Sequence, residues 1–525
     1  MSTENSQAPW WTTAVAYQIY PRSFCDTDVD GVGDLEGIRR HLDHLTWLGV
    51  DAIWLSPFYR SPMDDYGYDV ADYCDVDPLF GDLAAFDALV ADAHERGLRV
   101  VVDWVPNHTS VEHPWFVEAR ASRDAAKRDW YLWRDPPADG SLPNNWVEAL
   151  TFGPAWTLDE GTGQYYLHNF FASQPDLNWG NREVVDAMLD TLRFWLDRGV
   201  DGFRMDVVNL IGKDPELPDD PAELAGLPHL VINDRPETHA LLREIRGVLD
   251  SYPNDRMAIG EVILLSIEGI LGHLGQPTEP GRAELHLAFN FPPMHATWTA
   301  ENWRRAVETT ELHYGEAGAW PTWVLSNHDV VRHRTRYGSE ARARAAAVLM
   351  LTLRGTVFLY AGEELGLEDA VVPPERVRDP GGRDGCRAPI PWDGSPSHGW
   401  PVTAGAEVAD PWLPWPPDAA TRNVADLVGD DTSILWLYRR LLELRHATPS
   451  LQRGALALLD TPEGVLGYRR GDDVAVLVNF TAEPIDVSGV DLDQVAGGVL
   501  EVSSTGSASF DGRLGPDEAV VLRRE

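Results

Sequence analysis

The sequence has few cysteines and few basic residues. Only three cysteines occur in 525 residues, namely Cys25, Cys74 and Cys386, so no disulfide framework is expected. Forty-three Lys and Arg residues stand against 83 Asp and Glu residues, which gives a formal net charge of −40. A chain this acidic repels phosphate backbones and anionic lipids. Nucleic acid and membrane surfaces are therefore not expected as partners.

Long apolar runs are absent as well. No stretch of about 18 apolar residues occurs, so no transmembrane helix is predicted. The segment MSTENSQAPWWTTAVAYQ at the start has neither the basic residues nor the apolar core of a signal peptide. From these two absences we expect a cytoplasmic protein.

The chain is large and rich in aromatic side chains. Its length suits a large catalytic domain with at least one smaller domain appended. It contains 21 Trp, 15 Tyr and 15 Phe residues. Most of these are expected in the core, because aromatic side chains bury extensive surface, although such a content also suits stacking on sugars.

Eight short apolar runs end in polar residues and alternate with amphipathic helical segments. The runs are AVAYQIYP, DAIWLSPF, LRVVVDWVPNH, DGFRMDVV, MAIGEV, LHLAFNF, TWVLSNHD and GTVFLYAGEE. This alternation predicts an α/β fold of the (β/α)8 TIM-barrel type. Catalytic groups of such barrels gather at the C-terminal ends of the strands.

Two further segments interrupt or follow the barrel pattern. Residues 108–179 are rich in Trp, Pro, Gly and Asn and are too long for a plain crossover, so we expect a small inserted domain after the third strand. Residues 448–525 show short alternating runs separated by Gly, Asp and Pro, which predict a C-terminal antiparallel β-sandwich domain. The catalytic barrel is then expected over residues 1–107 and 180–447.

Three carboxylates close predicted barrel strands. Asp206 ends the fourth strand, Glu261 the fifth and Asp329 the seventh. Glycosidic cleavage with retention of configuration requires one carboxylate nucleophile and one carboxylic acid about 5 Å apart. Adjacent strands would bring Asp206 and Glu261 close together, which makes this set a candidate for such chemistry.

The chain resembles the α-amylase family of glycoside hydrolases (family 13), in its oligo-1,6-glucosidase and α-glucosidase branch. The motifs that carry the resemblance are DWVPNH at 103–108, QPDLN at 174–178, GFRMD at 202–206, GEV at 260–262 and SNHD at 326–329. The resemblance implies that Asp206 is the nucleophile and Glu261 the general acid/base. It implies that Asp329 grips substrate hydroxyls and stabilises the oxocarbenium-like transition state.

The same resemblance assigns residues around the sugar. Those expected to bind or border the substrate are Asp65, Tyr68, His108, Phe170, Arg204, Val207, His328 and Arg387. Arg204 is expected to hold the Asp206 carboxylate ionised, since a neighbouring cation lowers a carboxylate pKa. Arg387 is expected to reach Asp65 or the sugar. Asp103 and Asn107 are expected to support the end of the third strand without taking part in bond changes.

The segment DTDVDGVGD at 26–34 is a candidate metal loop. Asp26, Asp28, Asp30 and Asp34 offer hard oxygen ligands that suit Ca²⁺ or Mg²⁺, and Val32 would contribute its backbone carbonyl. Gly37 stands where an EF-hand has its bidentate Glu, so the loop is not an EF-hand. The resemblance implies a structural cation here, while an acidic turn without metal is the alternative.

The predicted reaction is hydrolysis of terminal non-reducing α-glucosidic bonds in short oligosaccharides or α-glucosides, through a covalent glucosyl-enzyme intermediate. Transglucosylation and sucrose or maltose isomerisation use the same intermediate and stay open as alternatives. A non-catalytic sugar-binding relative is the third hypothesis. Val207 resembles α-1,6-acting members, but the segment VILLSIEG after Glu261 departs from the family pattern, so α-1,6 and α-1,4 action both stay open. A monomer and a homodimer are both compatible with the sequence.

Overall fold

Eight parallel strands form the centre of the molecule. The computed structural model describes residues 8–276, 279, 281–492 and 498–524. The barrel strands are β1 (Val15–Ile19), β2 (Ala52–Leu55), β3 (Arg99–Trp104), β4 (Gly202–Met205), β5 (Met257–Gly260), β6 (Leu287–Ala288), β7 (Thr322–Val324) and β8 (Thr356–Tyr360). Each lies within one of the eight apolar runs, so the predicted barrel is confirmed.

Helices lie between successive strands and cover the barrel. In chain order they are α1 (Leu35–Arg40), α2 (Leu42–Leu48), α3 (Leu83–Glu95), α4 (Pro114–Ala119), α5 (Arg182–Asp197), α6 (Pro236–Asp250), α7 (Ile267–Gly272), α8 (Ala300–Glu316), α9 (His333–Tyr337), α10 (Glu340–Thr352), α11 (Val424–Gly429), α12 (Ile434–Ala447) and α13 (Pro449–Arg453). Several begin at a side-chain cap: Asp82 accepts from the backbone N–H of Ala85, and Ser339 accepts from that of Arg342. Such caps satisfy N–H groups that have no partner inside the helix.

The strands are hydrogen-bonded in the order β6, β5, β4, β3, β2, β1, β8, β7. Between β6 and β7 a side chain closes the barrel. The hydroxyl of Thr322 donates to the carbonyl of Ala288 at 3.0 Å and accepts from the backbone N–H of Asn290 at 3.0 Å. The C-terminal ends of all eight strands therefore meet around one opening.

The chain between β3 and α5 contains a small sheet of its own. Three antiparallel strands, Trp133–Arg134, Trp156–Asp159 and Gln164–Leu167, pair in this segment. His108 and Asp176 form a bridge that ties its two ends together. This arrangement brings the chain near Phe170 over the opening of the barrel.

The C-terminal region is antiparallel. Its five-stranded sheet consists of Leu456–Leu458, Val465–Arg470, Val474–Asn479, Val499–Ser503 and Ala519–Arg523, and a ribbon pairs Ile485–Asp486 with Arg513–Leu514. The sheet packs on α8, α10 and α12 of the barrel. The residue limits proposed for the three domains stay a prediction. Among the described helices, none has the length and apolar character needed to cross a bilayer.

Candidate active site

A cavity of about 320 Å³ lies at the C-terminal opening of the barrel. Asp206 directly follows β4, Glu261 directly follows β5, and Asp329 lies in the loop after β7. All three line this cavity. The structure therefore brings the three predicted catalytic carboxylates to one place.

One guanidinium group connects the carboxylates. Nη1 of Arg204 lies 2.8 Å from Oδ1 of Asp103 and 2.7 Å from Oδ1 of Asp206, and its Nη2 lies 2.6 Å from Oε2 of Glu261. Arg204 sits on β4 two residues before Asp206, so both side chains point to the same side of the strand. The strand geometry thus places a cation between groups from β3, β4 and β5.

The charges of this cluster do not balance. Arg204 carries one positive charge, and its pKa lies above the ordinary value because Asp103 and Glu261 outweigh the cost of burial. Burial raises the pKa of Asp206 although Arg204 opposes the rise, so the expectation that Arg204 lowers this pKa needs a correction: burial and the neighbouring acids outweigh the cation. Burial also raises the pKa of Asp103 to about 6. Three carboxylates on one cation in a buried site favour the retention of a proton within the set. Such a set can provide an acid and a nucleophile side by side.

A hydrogen-bonded chain runs along the floor of the cavity. The Gln18 amide nitrogen lies 2.8 Å from Nδ1 of His328, and Nε2 of His328 lies 2.6 Å from the Tyr68 hydroxyl. That hydroxyl donates to Oδ2 of Asp103 at 3.1 Å. Burial lowers the pKa of His328 to about 3, so its ring is neutral at pH 7. The neutral ring keeps a fixed donor beside Asp329, whose Oδ2 lies 3.3 Å away.

Asp329 is held by two arginines. Nη1 of Arg383 lies 3.1 Å and Nη2 of Arg387 lies 3.2 Å from its Oδ1. Burial alone would raise the pKa of Asp329, yet that pKa lies below the ordinary value because His328, Arg383 and Arg387 surround the carboxylate. Asp329 is therefore ionised and suited to accept hydrogen bonds from sugar hydroxyls.

The expectation that Arg387 reaches Asp65 or the sugar needs a correction, because Arg387 does not line the cavity. Nη2 of Arg383 is the group that lies 2.8 Å from Oδ1 of Asp65. Arg387 is completely buried behind Asp329, and its Nε donates to the carbonyl of His328 at 2.7 Å. Arg383 lines the cavity and Arg387 supports the loop beneath it.

The polar end of the cavity is closed by the inserted segment. Gln174 donates from Nε2 to Oδ2 of Asp65 at 3.0 Å, and the same nitrogen lies 3.2 Å from Nε2 of His108. Burial lowers the pKa of His108 to about 4. Asp65 and Tyr68 line this end as predicted. This end of the cavity thus offers several hydrogen-bond donors and acceptors to a hydroxylated ligand.

The opposite side of the cavity is apolar. Its lining residues there are Ala149, Leu150, Phe170, Val207, Leu230 and Ile263. Val207 has a φ of +36°, in the left-handed region that a β-branched residue rarely adopts. Its backbone N–H faces Oε2 of Glu261 at 3.2 Å. The strained turn therefore supplies both an apolar wall and a donor to Glu261.

The support predicted for the third strand is present. Asn107 donates to Oδ1 of Asp176 at 3.1 Å, and its own Oδ1 accepts from Lys213 at 2.8 Å. Lys213 also pairs with Asp176 at 3.0 Å. These buried groups lock the end of β3 to the inserted segment without entering the cavity.

Several cavity residues escape the sequence reasoning. Arg383 lies four residues before Arg387 in the segment GGRDGCRAP, so the prediction of Arg387 identified the correct loop but not the arginine that faces the cavity. Gln174 is the first residue of the QPDLN motif, but the motif did not indicate that this side chain contacts Asp65. Ile263 lies in the segment VILLSIEG, whose only sequence signal is its departure from the family pattern, and Leu230 comes from a segment whose sequence carries no such signal.

The candidate metal loop is only partly assembled. Single carboxylate oxygens of Asp26, Asp28 and Asp34 lie within 4.8 Å of one another. Asp30 is outside this group, and its Oδ1 accepts from the backbone N–H of Val32 at 2.8 Å. Burial, opposed by backbone hydrogen bonds, raises the pKa of Asp34. Three clustered carboxylates fit a hard divalent cation, whose charge would offset their repulsion.

Comparison with known proteins agrees with this geometry. A probable alpha-glucosidase of Rhizobium meliloti (strain 1021) is 43% identical over 506 residues, covering 90% of this chain and 90% of that protein. An oligo-1,6-glucosidase of Parageobacillus thermoglucosidasius is 39% identical over 525 residues, again covering 90% of each. The crystal structure of the alpha-glucosyl transfer enzyme XgtA has a TM-score of 0.86 and 42% identity, and covers 99% of this chain and 100% of that chain.

Residues 18–454 match the family model for the alpha amylase catalytic domain. The match spans the barrel and the inserted segment, including each of the three carboxylates at the strand ends. The chain therefore belongs to the alpha-amylase family of glycoside hydrolases.

Proposed function

We propose that the protein is a retaining α-glucosidase that removes the terminal glucose of short α-glucosides. The observation that carries this proposal is the convergence of Asp206, Glu261 and Asp329 on one cavity. Retaining enzymes hold their two carboxyl groups about 5 Å apart, whereas inverting enzymes separate them by about 6.5–9.5 Å. Asp206 and Glu261 share the guanidinium of Arg204, at 2.7 Å from Nη1 and 2.6 Å from Nη2 respectively. This proximity supports the retaining geometry.

The proposed reaction has two steps. Asp206 attacks the anomeric carbon while Glu261 gives its proton to the leaving oxygen, so the glycosidic bond breaks as the glucosyl ester forms. Glu261, now ionised, takes a proton from water, and the resulting hydroxide equivalent displaces Asp206. Arg204 stays paired with both carboxylates and stabilises whichever one is charged.

The closed polar end favours action on a chain terminus. Asp65, Asp329, His108 and Arg383 line the polar part of the cavity. The cavity volume is at the low end of the range of about 300–1,000 Å³ for ligand sites. Asp65 and Asp329, bridged by Arg383, would bind the hydroxyls of the non-reducing glucose, and the aglycone would lie toward Val207 and Ile263.

Product analysis tests the mechanism and the substrate together. ¹H NMR of fresh digests of maltose, isomaltose, sucrose and trehalose is expected to show α-glucose before the β-anomer appears by mutarotation. Initial β-glucose would refute retention. The same time courses rank α-1,4 against α-1,6 cleavage, a choice that Val207 alone does not make.

Variants separate the two carboxylates. Asp206→Asn is expected to lose activity on all substrates by at least about 10⁴-fold, as removing a nucleophile does. Glu261→Gln is expected to lose far less activity on p-nitrophenyl α-glucoside than on maltose, because a good leaving group needs no protonation. Equal losses on both substrates would contradict the acid role of Glu261. Circular dichroism of each variant controls for folding.

Glucosyl transfer is a second candidate function. The specific observation is the apolar wall formed by Phe170, Leu230 and Ile263, whose side chains offer water no hydrogen bonds. An alcohol with an apolar body could bind there and attack the glucosyl ester in place of water. The name of the structural neighbour XgtA, an alpha-glucosyl transfer enzyme, is consistent with this candidate.

The ratio of transfer to hydrolysis tests this candidate. With maltose as donor and benzyl alcohol as acceptor, the wild type is expected to form benzyl glucoside, and Leu230→Ser is expected to lower the ratio of glucoside to free glucose. Leu227→Ser is the control, because Leu227 is 40% exposed and does not line the cavity. An unchanged ratio in Leu230→Ser would count against an acceptor site on this wall.

We also propose that Asp26, Asp28 and Asp34 hold a structural Ca²⁺ or Mg²⁺. Their carboxylate oxygens are close enough to share one ion, and oxygen donors suit these hard cations. The ion would brace the loop between β1 and α1 and would take no part in the bond changes.

A further inference from the structure

A cluster of two histidines and one aspartate lies outside the active-site cavity. Asp234 precedes α6, His239 lies in α6, and His273 directly follows α7. One donor atom from each of the three residues lies within 4.8 Å of the others. The cluster therefore joins α6 and α7, the helices before and after β5 in the chain, and Glu261 directly follows β5.

Hydrogen bonds fix which nitrogen of His239 is available. Its Nδ1 lies 2.7 Å from Oε2 of Glu284, a carboxylate that is only 4% exposed. With Nδ1–H bonded to Glu284, Nε2 is the nitrogen that faces Asp234, with Oδ1 at 3.2 Å, so a metal ion bound there would take the place of the proton that now joins the two groups. A carboxylate behind a histidine ring is the arrangement that orients metal-binding histidines.

His273 leaves a buried nitrogen without a partner. Its Nδ1 lies 2.9 Å from the carbonyl of Gly269, so this nitrogen carries the hydrogen. Its Nε2 has no hydrogen-bond partner among the described residues, and the residue is 0% exposed. A buried polar atom without a partner is destabilising, because it has lost its hydrogen bonds to water. The ring of His239 lies beside it, with the two centroids 4.7 Å apart.

We propose that Asp234, His239 and His273 form a binding site for a first-row transition metal ion of the Zn²⁺ type. Two imidazole nitrogens and one carboxylate are a common set of protein ligands for Zn²⁺, with water in the fourth position. Ca²⁺ and Mg²⁺ prefer oxygen ligands and fit this set poorly. Glu284 is an orienting residue and not a ligand, since its Oε1 pairs with Arg243 at 2.8 Å.

The site is open to an ion from solvent. The Asp234 side chain is 44% exposed and that of His239 is 24% exposed, whereas His273 is at the inner end. Asn233, the residue before Asp234, donates from its side chain to the backbone carbonyl of Asn209 at 2.8 Å. Asn209 lies three residues after Asp206, so this segment is fixed to the turn that follows the proposed nucleophile. A bound ion would tie α7 to this anchored segment and stabilise the fold beside β5.

Metal titration tests the proposal. Chelator-treated protein is titrated with Zn²⁺ by calorimetry and with Co²⁺ by visible absorption, in buffer with excess Mg²⁺ so that the acidic loop near Asp26 does not respond. The wild type is expected to bind one equivalent, to show Co²⁺ d–d bands of a nitrogen and oxygen site, and to unfold at a higher temperature with Zn²⁺.

Variants locate the ion. His239→Ala and Asp234→Asn change partly exposed residues, so both variants should fold normally. Both are expected to lose the Co²⁺ bands or to show them at least about tenfold weaker. Glu284→Gln is expected to weaken metal binding by about 10–100-fold. His446→Ala is the control, because this histidine also pairs with an aspartate but lies elsewhere. Absence of tight binding in the wild type, or equal binding in His239→Ala and wild type, would overturn the proposal.

Discussion

Replacing Glu363 with glutamine probes a buried carboxyl group behind the active site. Glu363 follows β8 and is 2% exposed. Burial raises its pKa from the ordinary value of 4.5 to about 8, and Arg332 opposes the rise without cancelling it. The folded protein therefore holds this proton more tightly than the unfolded chain does.

This proton determines how the free energy of unfolding changes with pH. Between pH 4.5 and about 8 the native state binds more protons at Glu363 than the unfolded state, so stability falls as pH rises through this range. At roughly 1.36 kcal/mol per pH unit, the loss by pH 7 amounts to about 3 kcal/mol. Glutamine has a similar shape and does not ionise, so Glu363→Gln is expected to remove this loss. Glu364, whose pKa burial raises to about 6, adds a smaller contribution of the same sign.

Thermal unfolding measures the stability that Glu363→Gln is expected to gain at pH 7. With an unfolding entropy of about 2.1 cal/mol/K per residue, 3 kcal/mol corresponds to a rise in Tm of about 3 °C for a chain of 525 residues. Glu363→Gln and wild type should unfold at nearly the same temperature at pH 4.5 and differ by about 3 °C at pH 7. Glu463→Gln, at an exposed position, is the control and should show no pH-dependent gain. A variant that is less stable at pH 7, or equally shifted at both pH values, would refute a protonated Glu363.

Two other changes have expected outcomes. Arg383→Ala removes the link between Asp65 and Asp329 and is expected to lower kcat/KM on maltose by about 10²-fold or more, because the substrate is then bound without a fixed orientation. Arg378→Ala, from the same loop, is the control and should change kcat/KM little. Steady-state kinetics on maltose measure both values, and equal values for the two variants would contradict the role of Arg383. Removal of Ca²⁺ and Mg²⁺ by a chelator, followed by desalting and addition of Zn²⁺ alone, is expected to lower Tm through the acidic loop. Asp28→Asn should make Tm insensitive to this treatment, and an unchanged wild-type Tm would indicate an acidic turn without metal.

The barrel could be predicted because its signal is local. Each strand is a short apolar run, and the polar residues at its end mark the side on which chemistry occurs. Asp206 and Glu261 are readable from this pattern since they directly follow β4 and β5. The contact that closes the barrel between β6 and β7 could not be predicted from the sequence, because it depends on a hydrogen bond from the Thr322 hydroxyl to the carbonyl of Ala288.

The cavity walls could be predicted less well because they depend on how loops fold over the barrel. Arg383 and Arg387 stand four positions apart in one irregular segment, and only tertiary packing decides which one meets Asp65. Leu230 and Ile263 reach the cavity from segments after β4 and β5 that have no periodic pattern. Asp30 alternates with Asp28 in the sequence, but the turn directs its carboxylate to the Val32 N–H instead.

The sharing of Arg204 by three acids makes their contributions to folding interdependent. Deleting one carboxylate relieves repulsion felt by the other two, so single substitutions at Asp103, Asp206 and Glu261 do not have additive effects on stability. A selection for heat resistance alone would favour the loss of one of these acids. Stabilised variants of this enzyme must therefore be screened for turnover at the same time.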